Sequence, residues 1–188
     1  IAGAALAVLV LIYLGVSVFF MSHFYLNTKI NGKDFSGKSA AAVEAYMKAQ
    51  VKGYELTIKE QGNQSDRIKG SDIALQYQEN EDIKKALKKQ NGFAWPAALF
   101  SHKTEKISID VSYDEKALDE KIQSLQAVKT EQTPAENAKP ELQGETYVVK
   151  PEVYGAAVDM EVLNQKIHQF ISEFRTELDM EKEGGYAR

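Results

Sequence analysis

The sequence has no cysteine, only four prolines, one tryptophan and three histidines. Without cysteine there is no disulfide framework, no thiol nucleophile and no thiolate metal ligand. His23, His102 and His168 stand far apart, and none shares a metal-ligand spacing with another. Each is therefore read as a structural side chain. No GxxxxGK or GxGxxG pattern occurs. Gly32 and Gly37 merely flank Asp34, Phe35 and Ser36. Carboxylates are abundant, but their spacing selects no catalytic pair. A net charge of −4 and a pI near 5.5 argue against a dedicated nucleic-acid binder. These absences point to a chain with no catalytic residue, metal, cofactor or nucleic-acid partner of its own.

Charge is missing from one place in particular. Residues 1–28 hold no Asp, Glu, Lys or Arg, so all 23 basic and 27 acidic residues fall from Lys29 onward. Residues 1–21 read IAGAALAVLVLIYLGVSVFFM, close to the ~20 apolar residues that span a bilayer as a helix. Phe19, Phe20, His23, Phe24 and Tyr25 crowd its C-terminal end, where aromatic rings favour the headgroup region. A cleavable signal peptide is the alternative, but its apolar core is shorter, about 7–15 residues, and ends in small residues. Residues 1–25 are therefore predicted to be an uncleaved single-pass anchor in the cell membrane. The chain starts at Ile rather than Met, so any positive flank that would set orientation is expected upstream. Lys29, Lys33 and Lys38 weakly favour the reverse topology. A single anchor ahead of a cysteine-free domain still suggests an extracytoplasmic domain.

The remainder alternates short β-type runs with amphipathic helices. A strand is predicted over residues 24–30, closed by the turn Asn31-Gly32, and Ser39 caps a helix over 40–50. Residues 54–59 alternate and form a hairpin with 67–69 through Gly62-Asn63. A short helix over 81–90 carries Lys84, Lys85, Lys88 and Lys89. Residues 106–111 read as another strand, and Asp114 caps a helix through 128. Residues 129–143 read as a loop and 146–150 as a strand. Residues 151–158 read as an irregular hairpin. Asp159 caps a helix to about 174 with Leu163, Ile167, Phe170 and Phe174 as its apolar stripe. Three loose strand–helix repeats support an α+β fold, with helices packed on a mainly antiparallel sheet after the transmembrane helix.

Three surface features carry functional weight. Phe93, Trp95, Pro96 and Phe100 could offer flat rings to a sugar's apolar face. Their alternative is to fill a core or rest on a membrane. The lysines at 84–89, Lys84 and Lys88 foremost, would attract teichoic acids or lipid phosphates. Their alternative is a solvated helix face. Tyr147, Pro151, Glu152, Tyr154 and Gly155 make a third group, with Tyr154 the residue singled out, or they simply shape a turn.

Several segments together resemble a known family. Lys29-Ile30-Asn31-Gly32-Lys33-Asp34-Phe35-Ser36-Gly37-Lys38-Ser39 is similar to the "N-G-x-D-x-S-G-x-[ST]" opening of the peptidoglycan-binding domain that precedes L,D-transpeptidase catalytic domains and also occurs in VanW-like proteins. Tyr54, Leu56 and Ile58 resemble its "Y-x-L-x-I" strand, and Val111-Ser112-Tyr113-Asp114 with Leu118 its strand–helix joint. Tyr147-Val148-Val149-Lys150-Pro151-Glu152-Val153-Tyr154-Gly155 with Val158-Asp159 resembles its "Y-x-I-x-P-E-x-x-G-x-x-V-D" segment. The resemblance implies a membrane-anchored wall-facing domain over residues 26–175, with peptidoglycan as partner. Residues 176–188 are then expected to be a linker or the start of a following region. The complete protein would crosslink peptidoglycan stems through a cysteine in a Ser-x-Gly-Cys setting, which these residues do not contain. No catalytic residue therefore carries over, and this fragment is read as non-enzymatic. A VanW-like envelope protein and a pure spacer or protein-interaction module are the alternatives.

Overall fold

A computed structural model describes residues 2–131, 136–152 and 157–187. In chain order the helices are α1 (Ala2–Phe20), α2 (Ala40–Lys52), α3 (Asp82–Lys88), α4 (Trp95–Ala98), α5 (Glu115–Gln123), α6 (Gln126–Lys129) and α7 (Met160–Ser172). The strands are β1 (Thr28–Ile30), β2 (Lys33–Asp34), β3 (Glu55–Lys59), β4 (Ser65–Lys69), β5 (Gln76–Tyr77), β6 (Lys103–Glu105), β7 (Val111–Ser112), β8 (Lys139–Gln143), β9 (Thr146–Lys150) and β10 (Glu177–Asp179). The fold is α+β, and α1 is long and apolar enough to cross a membrane. The chain forms two compact units from interleaved segments. The first is Ile1–Gln50 with Tyr77–Asp110, and the second is Val51–Gln76 with Val111–Arg188.

In the first unit, β1 pairs antiparallel with β2 and parallel with β6. The β1–β2 turn is Asn31-Gly32, both at positive φ (49° and 81°), a conformation glycine and asparagine adopt at little cost. Phe24, Ile30, Phe35, Val43, Met47, Ile83, Ala86 and Ile107 form the core of this unit. Val43 and Met47 lie one helical turn apart on α2, the spacing that makes one buried stripe.

In the second unit, the β3–β4 hairpin pairs Leu56 with Ile68, and β10 runs parallel on the other side of β3. Leu118 and Ile122 of α5 and Leu163, Ile167, Phe170 and Ile171 of α7 bury against Leu56, Ile58 and Ile68. Asp159 caps α7 through its carboxylate, which accepts from Val162 N at 3.1 Å, and Asp114 caps α5 from Ala117 N at 3.1 Å.

Four local expectations are changed by tertiary contacts. Residues 106–110 are irregular rather than a strand, because the Asn31 side chain takes both backbone groups of Ile107. The helix predicted through 128 breaks after Gln123. Leu125 turns into the core, and the Asp66 carboxylate accepts from Gln126 N to start α6. The loop predicted through 143 contains β8, which pairs antiparallel with β9. The segment after Thr176 is structured, with Leu178 and Met180 buried in the core.

Candidate functional site

The aromatic segment that the sequence singles out lies in the first unit, against α1. Asn91 Oδ1 accepts from Phe93 N at 3.1 Å and opens a 3-10 turn, Gly92–Ala94, that runs into α4. Pro96 sits in the first turn of α4, where its missing N–H costs nothing. Gly92 is where this segment meets α1. A Cβ there would stand 2.7 Å from Ser17 O and 2.8 Å from Met21 Cγ, so only glycine permits the approach. Tyr13 Oη donates to Phe93 O at 2.8 Å. Gln90 Nε2 donates to Phe20 O, a carbonyl that the end of α1 leaves open, and to His23 O, both at 2.7 Å. Tyr25 N donates to Gln90 Oε1 at 3.0 Å, and Tyr25 Oη donates to the Asn91 carbonyl.

Trp95 is half-buried in that contact. Its ring centroid lies 6.1 Å from Tyr13 and 6.5 Å from Phe20, and its indole N–H is buried without a protein acceptor among the described residues. Phe93 is 45% exposed and Phe100 is 89% exposed. The segment therefore shows its phenyl rings outward and holds its indole against the helix.

The lysines stand on a separate element, α3, whose Ile83 and Ala86 anchor it in the core. Lys84 pairs with Glu81 at 3.0 Å and Lys85 with Asp82 at 3.2 Å. The Glu81 carboxylate raises the Lys84 ammonium above its ordinary value. Lys88 is exposed and makes no ion pair among the described residues. Half of the basic group is thus neutralised at i,i+3 spacing. Tyr154 and Gly155 lie outside the described residues.

Sequence reasoning missed one concavity. A shallow open cleft of about 580 Å³ is lined by Asn31, Gly32, Thr104, Lys106, Ile107 and Ser108. Asn31 builds its wall, donating to Ile107 O at 2.9 Å and accepting from Ile107 N at 3.0 Å. The Asn31-Gly32 turn was legible in the sequence, but its partner residues more than 70 positions away were not. The lining offers two hydroxyls, one ammonium and an apolar patch. That chemistry suits holding a polar, carboxylate-bearing ligand.

Two of the three histidines have packing partners. His23 stacks on Phe19 at 4.0 Å, and His168 Nδ1 lies 3.0 Å from Tyr113 Oη. No cluster of three His, Cys, Asp or Glu residues able to hold a metal ion occurs among the described residues.

These elements make a small α+β fold. The family described as "Putative peptidoglycan binding domain" matches residues 67–179, more than half of the chain, and the protein belongs to that family. Membership associates it with the cell wall, and a domain of this kind is non-catalytic by itself. No curated protein and no solved structure matches the chain.

Proposed function

We propose that this chain is the membrane-anchored, extracytoplasmic, non-catalytic part of an L,D-transpeptidase-like cell-wall protein, which it holds at or binds to peptidoglycan. The observation that carries the reading is the peptidoglycan-binding family match over residues 67–179. The anchor is supported by α1: 19 uncharged residues span about 28 Å, close to the ~30 Å hydrocarbon core of a bilayer. The wall contact is assigned to the cleft around Lys106 and to Lys88, with Lys84 contributing where its pair with Glu81 opens. Phe93 and Trp95 are assigned to the bilayer side.

The test is co-sedimentation of the detergent-solubilised chain with purified sacculi across a salt series. Retention that weakens as salt rises and drops on Lys106→Ala more than on Lys52→Ala, an exposed lysine outside the assigned surface, is the expected result. Equal losses for the two variants would reduce the interaction to nonspecific attraction by exposed lysines. No retention at any salt would leave the domain as a spacer. The transpeptidase assignment is checked separately, by asking whether the native polypeptide that carries this domain has a thiol-dependent peptidoglycan-crosslinking activity. An inactive polypeptide would favour the VanW-like alternative.

A further inference from the structure

Residues 92–100 combine three properties. The first is depth. They pack along α1 from Tyr13 to Phe20, seven residues or about 10 Å of helix axis. Measured back from the end of α1, that is close to the ~5–10 Å at which interfacial helices bury their apolar faces. The second is surface. Phe93, Leu99 and Phe100 are exposed beside a helix that itself exposes Val10, Leu14 and Val18. Lys89, also exposed, stands three residues before the segment in the chain. The third is backbone satisfaction, which hydrocarbon demands of anything within it. Phe93 N bonds the Asn91 side chain, Phe93 O the Tyr13 hydroxyl and Leu99 O the Asn27 amide. Ala94, Phe100 and Ser101 donate within the turns, and Pro96 has no N–H to satisfy.

We infer that residues 92–100 are a second membrane-contacting element: a short helical ridge seated in the outer part of the bilayer that α1 spans, with lipid acyl chains against Phe93, Leu99 and Phe100. The inference rests on the reading of α1 as membrane-spanning. A ridge locked to the helix by Gly92 and Gln90 fixes how the first unit meets the membrane, where a bare helix would leave it tethered by its chain alone.

Trp95 is the sole tryptophan, so the intact chain carries its own depth probe. Because Trp95 is half-buried, Phe100→Trp in a Trp95→Phe background supplies a second probe at the most exposed ring of the segment. The full chain is assembled into phosphatidylglycerol-containing nanodiscs, where both membrane faces meet buffer, and insertion is scored independently by resistance to alkaline extraction from vesicles. Expected are a blue-shifted Phe100→Trp emission, its loss with spin labels at shallow acyl positions more than at deep ones, and insensitivity to iodide. Iodide quenching with no lipid quenching, in a chain that resists extraction, would overturn the inference and leave the anchor standing. A chain that is extracted by alkali would overturn the anchor and the inference together.

Discussion

Glu60 shows how a single residue links burial to pH. It is only 9% exposed, and its Oε1 accepts from Ala127 N at 3.3 Å. Burial first, and then the neighbouring Asp66 carboxylate, raise its carboxyl above the ordinary value against the pull of that N–H. The folded state then holds its proton to higher pH than the unfolded state does. Stability falls as pH rises from the ordinary carboxylate range through the raised value. Glu60→Gln keeps the acceptor and removes the charge. The variant is expected to be more stable than the parent at about pH 7, with the gap closing toward about pH 4. Urea-unfolding midpoints at the two pH values check this, and an unchanged gap would refute it.

At the element scale, β10 is the piece whose role its own residues least announce. Glu177, Leu178 and Asp179 contain one apolar residue between two charges, too little for a periodicity. The strand exists because Leu178 lies opposite Ile58 in a parallel register, with Thr57 N also bonding Thr176 O at 2.9 Å. Leu178→Ala is expected to cost about 2–5 kcal/mol, the range for emptying a closed aliphatic site. Removal of residues 177–188 should unfold the second unit, read as loss of its cooperative thermal transition. A truncated chain with an unchanged transition would make the segment dispensable. By contrast α7 was readable in advance, because its cap at Asp159 and its stripe of Leu163, Ile167 and Phe170 lie within a dozen residues of each other.

At the scale of the molecule, the two units are not consecutive in sequence. The chain leaves the first after Gln50, builds β3 and β4 in the second, returns at Tyr77, and leaves again after Asp110. A fragment of residues 1–110 would hold every segment of the first unit, but would strand Leu56, Ile58, Ile68 and Ile73 without the helices that bury them. Such a fragment is expected to bind a hydrophobic dye and self-associate in detergent conditions where the full chain stays dispersed. A dispersed, cooperatively folding fragment would show the first unit to be independent. The family match, beginning at Arg67 and ending at Asp179, likewise crosses both units.

The sequence by itself determined what short-range chemistry controls. It set the uncharged run of α1, the capped amphipathic helices α2, α5 and α7, the β3–β4 hairpin, the lack of a thiol, and the motif series that resembles a peptidoglycan-binding domain. These depend on spacings of two to four residues or on composition alone. Only the tertiary structure decided the rest: β10 beside β3, the break between α5 and α6, and the cleft that Asn31 builds with Ile107. It also decided the seating of residues 92–98 on α1. Each of those is set by a partner 60 or more positions away, as in the pair Asp66–Gln126. Local propensity carries no record of such a partner, and the burial or hydrogen bond that joins them outweighs what propensity prefers.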